Sequence, residues 1–199
     1  AYLDDLDCSV VITNINSPTQ IVIAGETAEI EKAETQLKAV GATFKRLPVA
    51  TAFHTDIVSP SAEPFLEFLS EIKISNPKVP VYSNTTASVY SNKANDIRKT
   101  LAYQLANPVK FQQMIEQMHD DGIRLFLEVG PGSLLAGMVN DCLKGRDFSM
   151  VILHLCDLFE RIIFITRPEN LRTTVVIFFH CRDHTTHIAE SLFLHSICV

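Results

Sequence analysis

The 199-residue chain has no tryptophan, only seven glycines and nine prolines, and no apolar run of the roughly 18 to 20 residues that a membrane-spanning helix requires. With an apolar fraction of 47%, that scarcity of glycine and proline excludes a low-complexity or disordered chain. Positive charge is in the minority: 17 Lys+Arg against 23 Asp+Glu leave a net charge of −6 with no basic stripe. Such a surface repels a phosphate backbone and an anionic bilayer, so neither nucleic acid nor a membrane is an expected partner. The opening AYLDDLDCSV has neither a basic leader nor an initiator Met, and the sequence reads as a fragment. Cys8, Cys142, Cys156, Cys181 and Cys198 are odd in number and scattered, without a C-x-x-C pair, which fits a reducing, cytoplasmic setting better than a disulfide scaffold. What remains is apolar content sufficient for one domain or two small ones.

The periodicity predicts an α/β chain. VVI and IVIA, separated by the polar NINSPT, read as strand, loop with a proline break, and strand. Ile30, Ala33, Leu37 and Val40 recur at helical spacing up to Gly41, and ATFKRLPV after it reads as a further short strand. Ser59 and Pro60 suit the cap and first position of a helix with Phe65, Phe68, Leu69 and Ile72 inward. KVPVYSN reads as a strand, and Asn95 as the cap of a helix running to Leu105, closed by Asn107-Pro108. A helix to His119, a turn at Asp121-Gly122, and the nearly continuous apolar strand RLFLEVG follow. GPG then turns the chain into a helix capped by Ser133, with Leu135, Met138, Val139 and Cys142 on one face. Alternation of buried-type strands and helices is the signature of α/β.

Five landmarks stand in order along the chain: NINSPTQIVIAG from Asn14, TAFH from Thr51, VPVYSNTTASVY from Val79, QLANPVKF from Gln104 and EVGPGSLLAGM from Glu128. Together they make the stretch from about Val10 to Ser149 resemble the C-terminal part of a malonyl-CoA:acyl-carrier-protein acyltransferase, a discrete fatty-acid enzyme or a domain of polyketide and polyunsaturated-fatty-acid synthases. The resemblance implies a partial α/β-hydrolase-like large subdomain, residues 48–149, and the later half of a ferredoxin-like small subdomain, residues 1–47. It also implies ping-pong transfer: a serine takes malonyl from malonyl-CoA, and the phosphopantetheine thiol of an acyl carrier protein removes it. CoA thioester and carrier phosphopantetheine would then be substrates, with no tightly bound cofactor, and neighbouring synthase domains would be further partners.

Within that resemblance His54 of TAFH matches the catalytic base, since a neutral imidazole can take a hydroxyl proton near neutral pH. Gln104 matches the position whose backbone carbonyls hold the imidazole; a helix end leaves such carbonyls unpaired. Asn14 and Asn16 match two cleft asparagines able to donate to the acyl oxygens. Phe53 beside the base matches malonyl selection, because a bulky ring leaves little space for an α-methyl group. Thr51 departs from the commoner His at the start of that motif. The glycines of Gly130-Pro131-Gly132 are expected to serve the sharp turn rather than an anion.

No G-x-S-x-G occurs in the 199 residues, so the nucleophile, the carboxylate-pairing Arg and the first oxyanion segment are expected upstream of Ala1. The chain alone is therefore expected to be inactive and its parent active. Two other readings stand beside this one: a non-catalytic carrier-docking module, and a truncated or frame-shifted product. From residue 150 the character changes. Val151 to Val199 lacks Gly, holds five of the seven His and three of the five Cys, and reads as foreign, as an out-of-frame extension would. There His180, Cys181, His184 and His187 have a spacing that suits zinc on a helix, but no second ligand cluster accompanies them, and no metal is expected.

Overall fold

The computed structural model describes residues 6–49, 51–130, 132–154, 175–179 and 197–198. The chain begins with an antiparallel hairpin, β1 (Val10–Ser17) and β2 (Gln20–Gly25), followed by helix α1 (Thr27–Ala39). Asn14, Ile15 and Asn16, expected in a loop, lie within β1: register shifts between Ile12 and Asn14 and between Ile15 and Ser17 accommodate the polar residues, and only Pro18 and Thr19 form the turn. α1 buries Ala33 alone, and Gly41 ends it in the left-handed region at φ 72°, its N–H bonded to the Lys38 carbonyl at 3.1 Å. The strand expected over ATFKRLPV does not form. Among the described residues no neighbouring strand pairs with it, and the segment is instead fastened to α1 through side chains, Arg46 to Glu34 at 2.8 Å and Lys38 over the Phe44 ring.

A 3-10 helix, Asp56–Ser61, precedes α2 (Ala62–Glu71), so Ser59 and Pro60 lie inside that tighter turn rather than at the start of α2. Thr55 caps it, accepting from the Ile57 N–H at 3.3 Å. Leu69 is buried, but Phe68 and Ile72 are 57% and 41% exposed, against expectation, because α2 packs chiefly on one neighbour, α3 (Ala94–Tyr103). In α3 the cap position is Lys93, not Asn95; Asn95 sits in the first turn and its side chain accepts from Arg98.

β3 (Val81–Ser83), β4 (Ser88–Val89), β5 (Leu125–Gly130), β6 (Ser149–His154), β7 (Val175–Phe179) and β8 (Ile197–Cys198) form one sheet in the order β4-β3-β8-β7-β5-β6. β5 runs parallel to both β6 and β7, which explains its nearly continuous apolar sequence. The clump VVIFF thus supplies a strand of the sheet; RIIFIT and the group His180, Cys181, His184 and His187 lie outside the described residues. α4 (Phe111–Asp120) and α5 (Leu134–Cys142) pack together over the core. Phe111, Met114, Ile115 and Met118 fall at i, i+3, i+4 and i+7 of α4 and meet Phe126 of β5 and Val139 of α5. Among the described residues, no helix is long and apolar enough to cross a membrane.

Candidate active site

His54 follows Phe53 in a short turn between the 42–49 segment and the 3-10 helix. It is 4% exposed and has φ 62°, a left-handed backbone that a non-glycine residue adopts at a cost of about 1–2 kcal/mol. Three contacts with the turn after α3 hold it there. Its backbone N–H donates to the Leu105 carbonyl at 2.8 Å, and its ring Nδ1 lies 3.0 Å from the carbonyls of both Gln104 and Asn107. Carbonyl oxygens only accept, so Nδ1 carries the proton and Nε2 is the basic nitrogen. Burial pushes the His54 pKa below its ordinary value, offset in part by the two carbonyls, which favour the charged ring.

The acceptor turn owes its shape to local sequence. Gln104 is the C-cap of α3, where the last carbonyls have no helical partners, and Pro108 cannot continue a helix. The Asn107 side chain donates back to the Tyr103 carbonyl at 2.7 Å, closing the turn. The Gln104 side chain is buried as well, at 8% exposure. Below His54, the Thr55 hydroxyl donates to the Ala52 carbonyl at 2.6 Å and fixes the turn that carries Phe53.

β1 is stitched to this same turn. The Ile15 N–H donates to the Val109 carbonyl and the Val109 N–H to the Thr13 carbonyl, each at 2.8 Å, which places Asn14 opposite Val109. The strand that carries Asn14 and the turn that holds His54 are therefore joined through one backbone junction at Val109. Asn14 Oδ1 accepts from the Thr13 hydroxyl at 2.9 Å. Asn16 is two residues nearer the hairpin end, and its amide donates to Gln20 Oε1 at 3.2 Å. An open groove between α2 and α3, lined by Glu63, Glu67, Arg98 and Lys99 among others, contains none of these residues.

Glu128 carries a role that the sequence reading did not assign. It is fully buried on β5, and its two carboxylate oxygens accept from the N–H groups of Leu135 at 3.3 Å and Ala136 at 2.7 Å. Ser133 occupies the cap position of α5 but makes no capping bond with its side chain; Glu128 supplies the acceptor and places a carboxylate at the positive end of the helix. A charged residue amid an otherwise apolar strand was the available signal.

The profile of the acyl transferase domain family matches residues 4–155. A malonyl CoA-acyl carrier protein transacylase of Bacillus subtilis is 40% identical over 133 residues, 65% of this chain and 41% of that protein. One from Escherichia coli K12 is 38% identical over 128 residues, 63% of this chain and 40% of that protein. Among solved structures, the malonyl CoA-acyl carrier protein transacylase of Coxiella burnetii superposes with a TM-score of 0.66 at 34% identity, covering 74% of this chain and 46% of that one. A malonyl-transacylase complexed with a type II polyketide acyl-carrier protein gives 0.66 at 33% identity, covering 74% and 47%. The chain thus spans less than half the length of these relatives. With a matching profile over most of its length and an α/β fold like that of the solved relatives, the chain belongs to the acyl transferase domain family.

Proposed function

We propose that the chain is the histidine-bearing part of a malonyl-CoA:acyl-carrier-protein acyltransferase. The observation that carries this reading is the pair of carbonyls, Gln104 and Asn107, on Nδ1 of His54, which makes Nε2 the proton acceptor. In the reaction, Nε2 takes the proton of a serine hydroxyl supplied from outside these residues as that oxygen attacks the thioester carbonyl of malonyl-CoA. The proton passes to the departing CoA thiolate. The reverse exchange, with the phosphopantetheine thiol of a carrier protein as nucleophile, releases malonyl from the serine. Neutral carbonyls, in place of a carboxylate, hold the ring in one tautomer and favour the imidazolium less than a full negative charge would, which suits a base that must return its proton at once.

Asn14 and Asn16 would donate to the acyl oxygens, Asn16 after exchanging Gln20 for substrate. Phe53 would exclude an α-methyl group beside the base; one methyl discriminates by about 1–3 kcal/mol, which favours malonyl over its methylated analogue. Residues 1–47 would form the later half of a ferredoxin-like small subdomain and residues 48–149 the end of a hydrolase-like large one. The substrates would be malonyl-CoA and the carrier's phosphopantetheine, with no tightly bound cofactor, and the carrier protein and neighbouring synthase domains the partners. A reducing cytoplasmic setting agrees with the free thiols of Cys8 and Cys142.

The test is malonyl transfer from malonyl-CoA to a phosphopantetheinylated carrier, followed as CoA release, by this chain joined to a serine-bearing portion of an acyltransferase. His54→Ala is expected to lower kcat by about 10²–10⁴-fold. Transfer that survives the substitution unchanged overturns the role of His54, and carrier binding without CoA release would favour a docking module instead.

A further inference from the structure

The β1–β2 hairpin is fastened to α5 by contacts that the proposed reaction does not itself use. Ser17, the last residue of β1, and Thr19 in the turn both donate hydroxyl hydrogen bonds to one oxygen, Oδ2, of Asp141, at 2.5 and 2.6 Å. Ser17 Oγ in turn accepts from the Thr19 N–H at 3.3 Å, so the two hydroxyls form one unit facing the carboxylate. One residue further along α5, Cys142 Sγ reaches the Asn16 carbonyl at 3.5 Å. These are contacts between parts of the chain more than 120 residues apart, the bonds to Asp141 spanning 124 and 122 positions. A carboxylate oxygen accepting from two hydroxyls makes charge-assisted bonds, stronger than neutral ones.

The same strand leads to the base. From Ser17, β1 runs back to Ile15 and Thr13, which exchange backbone hydrogen bonds with Val109. Val109 lies two residues beyond Asn107, whose carbonyl holds His54 Nδ1. On this chain of contacts we propose that Asp141 is a positioning residue: it locks the hairpin onto α5 and, through β1 and Val109, fixes the acceptor turn that orients His54. Its catalytic meaning rests on the reading of His54 as the base, but its structural content can be measured without any acyl transfer.

The experiment uses the full 199-residue chain carrying Asp141→Ala or, from the opposite side of the contact, Ser17→Ala with Thr19→Val. Amide hydrogen exchange reads the Ile15 and Val109 N–H groups, and imidazole ¹⁵N shifts read the His54 tautomer. Both variants are expected to speed exchange at Ile15 and Val109 by about tenfold or more. They should also move the His54 shifts toward a mixture of tautomers, leave Met114 and Met118 of α4 unchanged, and be partly rescued by Asp141→Asn. Faster exchange in the hairpin with unaltered His54 shifts overturns the proposal, because the contact would then be a local fastening only. If Asp141→Ala accelerates exchange throughout the chain, the Ser17/Thr19 variant decides, and unchanged Ile15, Val109 and His54 signals in it overturn the proposal. Neither readout involves malonyl, so failure here leaves the acyltransferase reading intact, and loss of transfer in a His54 variant says nothing against Asp141.

Discussion

His54 couples its protonation to folding. Released into the unfolded chain it binds a proton with the ordinary pKa of about 6.5, whereas in the fold burial lowers that value. In the window just below 6.5 the unfolded state therefore holds more protons than the native one, and stability rises with pH. This contribution should be fully present above about pH 6.5 and lost as pH falls through the lower native value. Urea midpoints measured on either side of that window should show the dependence in the parent chain and a smaller one in His54→Asn. His54 and Gln104 became candidates through the resemblance of TAFH and QLANPVKF to acyltransferase motifs, not through local pattern. The left-handed φ of His54 was not legible, since the residue pattern around it reads as an ordinary loop, whereas its bonds to Leu105, Gln104 and Asn107 reach 50 residues and more along the chain.

At the scale of the element, α5 depends on a side chain from another strand. Glu128→Ala would leave the Leu135 and Ala136 N–H groups buried without that acceptor, a loss expected at about 1–3 kcal/mol by urea unfolding. Ser133→Ala, at a position whose side chain makes no capping bond, is expected to change stability by less than about 0.5 kcal/mol. A loss in Ser133→Ala with none in Glu128→Ala would show that Ser133, and not Glu128, is the effective cap. Helix interiors were readable from the sequence: the buried residues of α4 and α5 recur where a 3.6-residue period puts them. Helix starts were less so, because Ser59, Asn95 and Ser133 are all good capping residues by type, yet a local bond gives the cap to Thr55, a tertiary one gives the acceptor at α5 to Glu128, and Lys93 at the start of α3 makes no side-chain bond. The segment 42–49 shows the same limit in a strand. Its apolar Phe44, Leu47 and Val49 suggest a strand, but pairing depends on a neighbour that local sequence does not encode.

Over the molecule as a whole, the apolar surface of the described residues is unevenly distributed. α4, α5 and β5 enclose a core, whereas Val11, Ile12 and Ile21 on the hairpin and Phe44, Leu47 and Val49 beyond α1 are exposed. Where such residues form one contiguous patch, the surface favours association. Sedimentation velocity over a range of concentrations is expected to show reversible self-association of the chain, weakened by Leu47→Lys with Val49→Lys; no change in that variant would assign the association to other residues. The contacts of His54 also carry a consequence for biosynthesis. Its ring bonds to carbonyls 50 and 53 positions downstream. At about 5–20 residues per second, translation delivers the imidazole roughly 3 to 10 s before the groups that orient it. A nascent polypeptide thus carries the His54 imidazole without the carbonyls that fix its tautomer, and gains that geometry only once the ribosome has passed the QLANPVKF segment and β1 has closed upon it.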